Sequence, residues 1–341
     1  MKTYKSTFFL TSLLLLVSCI SVSIGVLDVN LSAMASGNLD QIEILLVSRL
    51  PRLLAVLCTG AGMSVAGLIM QQLCRNKFVS PTTSATISSA QLGLLLAILV
   101  FPQATLKEKT FFAFTMSIAG TYVFVLFMQR LKCKDIIMVP LVGIMFGNAL
   151  GGITSFLAYK YNLMQAMNSF LVGDFSLVLK GNYEIVFLIL PLLVIAFSFA
   201  NHFNIVGLGE DFAKNLGVPY TVVLFGGLSI AALITASVVV TIGTIPYLGL
   251  VVPNLITILK GDKLKNSLID TALFGALFVL ICDIVGRLVI FPYEIPVNLI
   301  VGVIGSVVFL GIIFWKLSSH VPSVHTRSAQ TTTKGGCGCD Q

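Results

Sequence analysis

Charge is what this sequence has least of. Only 10% of its 341 residues are Asp, Glu, Lys or Arg, against roughly 25% in soluble domains. With 57% hydrophobic residues beside so little charge, a soluble globule could not hide its apolar surface, and that class is excluded. Histidine is scarce too: His202, His320 and His325 all lie in loops or tail, and no His-Glu-x-x-His pair is present. No Gly-x-x-x-x-Gly-Lys-Ser/Thr segment occurs, so nucleotide binding by a phosphate loop is excluded. Seven cysteines form no disulfide framework; Cys19, Cys58, Cys74, Cys133 and Cys282 sit singly in or beside apolar runs, as small hydrophobes do. No catalytic constellation, metal site or cofactor site is expected, and the chain is read as not an enzyme. The net charge of +7 is scattered over short loops rather than gathered on one face. The expected partner of those cations is the lipid bilayer and not nucleic acid.

What is present is apolar sequence long enough to cross a bilayer many times. A span needs about 20 mostly apolar residues. Such runs fall at 6–26, 53–73, 86–101, 111–130, 136–158, 184–201, 222–242, 270–291 and 297–315. A tenth, shorter run at 247–259 contains Pro253, which removes a backbone donor and is expected to interrupt the helix. The fold class is therefore all-α, a polytopic membrane protein of about ten transmembrane helices. With ten spans and both termini cytoplasmic, seven of the 21 Lys and Arg fall outside: Arg49, Arg52, Lys107, Lys109, Lys160, Lys180 and Arg287. Twice as many fall inside, as the positive-inside rule requires. Lys2 and Lys5 before an apolar run, with Ala33-Met34-Ala35 after it, also fit a signal peptide. The run is long enough to span and the cleavage-like site lies far beyond it, so an uncleaved first helix is preferred.

Few ionisable residues lie within the runs. Asp283 and Arg287 are four apart on one helix face, placed either to pair structurally or to serve transport. Small residues recur at four-residue spacing: Gly143, Gly147, Gly151 and Ser155 in the run 136–158, the fifth span, Gly60 with Ser64 in the run 53–73, and Gly302 with Ser306 in the run 297–315, the tenth span along the chain. Such stripes let helices approach closely. They serve either plain packing or a translocation path, with Pro253 beside it, where the fifth and tenth spans meet. After 318 the chain is polar and aperiodic, a disordered tail. Its Cys337 and Cys339 lack the two further ligands of a zinc site, and Gly338 stands fourth from the end where prenylation needs cysteine.

Five segments in order carry a family resemblance. They are Arg49-Leu50-Pro51-Arg52; Gly67-Leu68-Ile69-Met70-Gln71-Gln72-Leu73-Cys74-Arg75-Asn76 with Pro81; Gly207 to Val218; Gly249-Leu250-Val251-Val252-Pro253; and Asp283 with Arg287 before Pro292-Tyr293-Glu294-Ile295-Pro296-Val297. Together they resemble the FecCD-type permeases of binding-protein-dependent ABC importers for iron-siderophores, haem and cobalamin, over residues 45–316. Asn76-Lys77-Phe78-Val79-Ser80-Pro81 is similar to the ferric catecholate-type siderophore branch. Lys77 and Ser80 stand where many members have Pro and Asp, and Pro246, Asn254 and Asn298 replace a usual Gly, His and Gly.

The resemblance implies the type II importer permease fold, with residues 1–317 as the transmembrane permease domain and 318–341 as a cytoplasmic tail. It implies a place in the bacterial cytoplasmic (inner) membrane. The implied partners are ABC ATPase subunits, an extracytoplasmic substrate-binding protein, and a second permease subunit, identical or a sister chain. The implied cargo is a ferric siderophore, with haem or cobalamin as alternatives. Arg49, Arg52 and Arg287 are the expected docking residues for the binding protein. The segment with Glu210, Ala213, Leu216 and Gly217 is the expected coupling helix to the ATPase. An ion-driven secondary transporter is the rival reading. It would call for intramembrane acids, and no buried carboxylate is expected beyond Asp283.

Overall fold

The computed structural model describes residues 2–24, 45–130, 138–176, 178, 183–260 and 264–318. Ala33-Met34-Ala35, Cys133, Lys180 and the tail with Cys337 and Cys339 lie outside the described residues. Among the described residues the chain is helical, with no strand beyond an isolated bridge between Ile290 and Tyr293.

Helix α1 (Lys2–Ser23) is followed by α2 (Leu50–Leu73), which is entered through a π-helical turn at Leu45–Arg49. Pro51 sits in the first turn of α2, where its missing N–H would have had no intrahelical partner. Then come α3 (Thr86–Val100), α4 (Leu106–Arg130), α5 (Met138–Lys160) and the short α6 (Met164–Leu171). Helix α4 starts at a capping box: the Thr105 N–H and hydroxyl donate to Glu108 Oε2 at 2.6 and 2.9 Å. A 3₁₀ turn (Glu184–Leu188) leads into α7 (Ile189–Ser198), α8 (Ala200–Leu208) and α9 (Glu210–Asn215). The chain closes with α10 (Tyr220–Thr241), α11 (Leu248–Lys260), α12 (Leu264–Leu288) and α13 (Val297–Ser318).

The ten expected spans are thus all present as apolar helical units, but they are unequal. Six among the described residues are long and apolar enough to cross a membrane alone: Leu45–Leu73, Leu106–Arg130, Met138–Lys160, Tyr220–Thr241, Ser267–Leu288 and Val297–Phe314. The pair α7 and α8, bent by 59°, makes a seventh if counted as one. Two are shorter, Thr86–Val100 and Leu248–Lys260, and α1 is apolar over Thr7–Ser23. At 1.5 Å per residue, a 15-residue helix covers only about 22 Å of a hydrocarbon core of about 30 Å.

Helix α2 is the axis. It packs on α12, α10, α11, α8 and α7, and 78% of its apolar stretch is buried, against 22% for α5 and for α13. Glycine makes these contacts close. A methyl group on Gly60 would strike the Gly275 carbonyl of α12, and one on Gly67 would strike the Gly249 carbonyl of α11. Hydroxyls tie the next layer: Thr86 bonds Thr121 at 2.9 Å between α3 and α4, and Ser117 donates to the Ala232 carbonyl of α10 at 3.1 Å.

Contrary to expectation, Pro253 does not interrupt α11, which runs through it. The donor the proline lacks would have served the Gly249 carbonyl four residues earlier. Gln71 of α2 reaches across instead, its Nε2 donating to the carbonyls of Gly249 (3.4 Å) and Leu250 (3.5 Å). Asn254 Nδ2 also donates to the Leu250 carbonyl, at 2.9 Å, and to that of Lys77 at 2.9 Å. Side chains have re-satisfied the freed backbone, as a helix in lipid requires.

Candidate functional site

At one end of α2 the chain gathers four charges. Asp283 and Arg287 lie one turn apart near the end of α12, and Arg287 Nη2 donates to Asp283 Oδ2. Arg52, in the first turn of α2, donates from Nε and Nη2 to Asp283 Oδ1 at 3.2 and 2.8 Å. Its third nitrogen, Nη1, donates to Glu294 Oε2 at 2.7 Å. Arg287 also closes the end of α1: its Nη1 donates to the carbonyls of Ser21 (3.1 Å) and Ile24 (2.9 Å), and its Nη2 to Ser21 Oγ (2.6 Å). Arg49 Nη1 donates to the Val22 carbonyl beside them. The last carbonyls of a helix have no intrahelical donor, and two arginines supply them here.

The cluster is graded in depth. Side-chain exposure is 2% at Asp283 and 7% at Arg287, but 15% at Arg52 and 25% at Glu294. Arg287 was expected on a docking surface; instead it is buried and held by α1 and Asp283. A guanidinium so enclosed must be paired, and Asp283 and the end of α1 supply its partners.

The opposite end of α2 carries the segment expected to couple. After α8 the chain turns at Gly209 (φ +126°) into α9. Helix α9 ends in a Schellman motif: the Gly217 N–H donates to the Lys214 carbonyl (3.0 Å) and the Val218 N–H to the Ala213 carbonyl (2.9 Å). Gly217 has φ +72°, and a methyl group there would meet nothing within 4 Å. Its need for glycine is conformational. Ala213 is fully buried within the chain, whereas Leu208, Phe212 and Leu216 are exposed and form an apolar outer face. Glu210 and Lys214 pair at 2.8 Å on the solvent side. That hydrogen bond and the carboxylate charge hold the Lys214 ammonium above its ordinary pKa. The turn after α2 has the same closure with a non-glycine: Arg75 takes φ +53°, its N–H donating to the Gln72 carbonyl and that of Asn76 to the Gln71 carbonyl. The Arg75 guanidinium lies against Gly209, and a cavity of about 350 Å³ opens between Gln71, Arg75, Lys77, Gly207 and Thr257.

The presumed path residues divide. Gly143 packs against the Thr83 carbonyl and the Phe124 ring, and Gly147 makes ordinary contact with Ala85 and Ser88. Gly151 has nothing within 4 Å, so the stripe on α5 leaves the bundle partway along. On α13, Gly302 approaches Pro246, while Ser306 is turned outward and bonds its own helix at Val303. Pro253 is buried, in the α2–α11 contact.

Sequence reasoning missed a second buried carboxylate. Asp270 of α12 is fully buried, accepts from Thr7 Oγ1 of α1 at 2.9 Å, and is paired with Lys260 at the end of α11. It stands at the first position of its apolar run, and a lysine ten residues earlier was the available signal. It missed Glu294 and Phe212 as well; both lie inside the quoted motifs. Among the described residues no group of three His, Cys, Asp or Glu is placed to hold a metal ion.

The FecCD transport family matches residues 13–315 of the chain. The petrobactin import system permease protein YclN of Bacillus subtilis is 47% identical over 302 residues, covering 89% of this chain and 96% of that one. The ferric-anguibactin transport system permease protein FatD of Vibrio anguillarum is 41% identical, over 78% of this chain and 85% of its own length. A metal-chelate type ABC transporter solved in an inward-facing conformation superposes with a TM-score of 0.78 at 27% identity, covering 91% of this chain and 99% of that one.

Proposed function

The chain belongs to the FecCD transport family, and from that membership we propose that it is the permease subunit of a binding-protein-dependent ABC importer for a ferric siderophore. It is a transport subunit and not an enzyme. The observation that carries this reading is identity of 47% and 41% to two ferric-siderophore-system permeases over most of both chains. A large chelate presents an organic shell, so a path of apolar and small polar groups suffices, and no fixed metal ligands are called for.

The three surfaces fit the partners such an importer needs. Arg52, backed by Asp283 and Arg287 and flanked by Arg49, offers positive charge to acidic residues of a binding protein, which steers encounter and fixes register. On the far side, Leu208, Phe212 and Leu216 offer an apolar ridge to the cleft of an ATPase subunit, with Gly217 setting its turn. The open sides of α5, from Gly151 onward, and of α13, around Ser306, face a second permease subunit, whose approach would line the path between them. The charge bias supports cytoplasmic termini and a cytoplasmic α9. The paired state of both buried carboxylates speaks against the ion-driven rival, since neither Asp270 nor Asp283 is free to cycle a proton or sodium ion.

Uptake of radioactive iron tests this reading. Cells with and without the gene are given ferric petrobactin, ferric anguibactin or ferric citrate, with the ATPase partner intact or catalytically dead. Uptake is expected to need both proteins and to favour one siderophore. Uptake that survives the dead ATPase would overturn the proposal in favour of a secondary transporter.

A further inference from the structure

The four charges at the Arg52 end are not held equally. Asp283 accepts from two guanidinium groups and is enclosed. Glu294 is held, among the described residues, by the Arg52 Nη1 donor alone, and it is the most exposed of the four. It stands in the connection between α12 and α13, where the Ile295 N–H is tied back to the Gly286 carbonyl at 3.0 Å, so the backbone beside Glu294 is anchored while its side chain reaches outward. All three nitrogens of Arg52 are already in use, two on Asp283 and one on Glu294. Three of the five N–H donors of Arg52 are thus in use, and the two that remain are the second hydrogens of Nη1 and Nη2, so an incoming carboxylate must approach beside Glu294 or Asp283. The four paired side chains are also neutral together, two arginines against two carboxylates, with Arg49 beside them, so a third carboxylate on Arg52 would meet the like charges of Glu294 and Asp283.

We propose that Glu294 is an internal counter-ion occupying the place of a partner's carboxylate on Arg52, and that docking of the binding protein exchanges one for the other. This rests on the reading of Arg52 as a docking residue. The exchange keeps the cluster neutral throughout: Glu294 swings to water as an acidic side chain of the partner takes the Nη1 donor. This pair is half-buried and reaches water on the Glu294 side, so it opens more readily than the inner Arg287–Asp283 pair, which stays closed. The permease thus competes with its own partner, which holds docking weak and reversible, as a component that must leave after each delivery needs. The free permease also avoids presenting an unpaired arginine.

The test uses the whole permease–ATPase complex in nanodiscs and the binding protein that supports uptake through it. Glu294→Gln removes the competing charge with no change of shape, and it is expected to tighten docking at least about threefold. Arg52→Gln is expected to weaken docking at least tenfold. In the Arg52→Gln background, Glu294→Gln is expected to change nothing further, because its effect passes through that arginine. Weakened docking in Arg52→Gln with unchanged or weaker docking in Glu294→Gln would overturn the exchange and leave the docking surface standing. Unchanged docking in Arg52→Gln would overturn both. A gain from Glu294→Gln that persists without Arg52 would reduce Glu294 to a general repulsive charge and overturn the exchange. Elution of each variant as an intact complex confirms that assembly is not the cause.

Discussion

The two ends of α12 solve one problem in two ways. Each end carries a buried carboxylate, and each ties α12 to α1. At the first end Asp270 is fully enclosed with Lys260 of α11, and Thr7 of α1 supplies a further bond. One cation meets one anion, and the arrangement is complete. At the second end Asp283 is shared by Arg52 and Arg287, and the surplus positive charge is met by Glu294 at the surface. A closed pair holds helices together. A chain of charges that runs from the interior to the surface also leaves its outermost link in reach of water, so the same chemistry is closed at one end and graded towards solvent at the other.

Removing Asp283 should break the comparison most sharply. Asp283→Ala leaves Arg287 buried with no carboxylate and is expected to cost about 3–5 kcal/mol, read as a large drop in thermal unfolding temperature and in yield of intact permease. Asp270→Ala should cost less, about 2–3 kcal/mol, because Lys260 is partly exposed and its ammonium can reach water. Replacing both members, as Asp270→Leu with Lys260→Met, should recover most of that loss. A double variant as unstable as Asp270→Ala would show that this pair does more than fill space. Smallest is Thr7→Val, which removes the hydrogen bond to a charged acceptor and is expected to cost about 1.5 kcal/mol, the low end for such a bond. Hydrogen exchange at the start of α1 is its sensitive readout, and uptake should persist.

Much of the fold could be read from apolar run length, because lipid demands it. The ten runs and the ten helical units coincide closely. The bend between α7 and α8 could not be read: it falls at Phe199, with no proline or glycine to mark it. Spacing found the glycine stripes without ranking them. Gly60 and Gly67 sit backbone to backbone with α12 and α11, whereas Gly151 meets nothing, and only the paths of the neighbouring helices decide which is which. Asp270 was hidden for a related reason: a carboxylate at the margin of an apolar run reads as solvated until α11 is seen to return a lysine to it. Of the candidate site, the two segments carrying Arg52 and Asp283 with Arg287 could be picked out, but the pairing of Arg52 with Asp283 and Glu294 across them could not. That Arg287 faces inward was not legible either, since the carbonyls it serves lie more than 260 residues away in the chain.

The hydrogen bond from Gln71 has a mechanical consequence. Helix α11 does not own its complete ladder: near Gly249 and Leu250 it works with a donor on loan from α2. If the two helices slid apart inside the membrane, a carbonyl would be stranded in hydrocarbon, at a cost of several kcal/mol. The direct contact of Gly67 with Gly249 forbids rolling as well, since there are no side chains at that point to act as bearings. Through any transport cycle α2 and α11 must travel as a single strut. Any relative movement within the bundle has to be sought away from this joint, in helices such as α5 and α13 that bury only 22% of their apolar stretch.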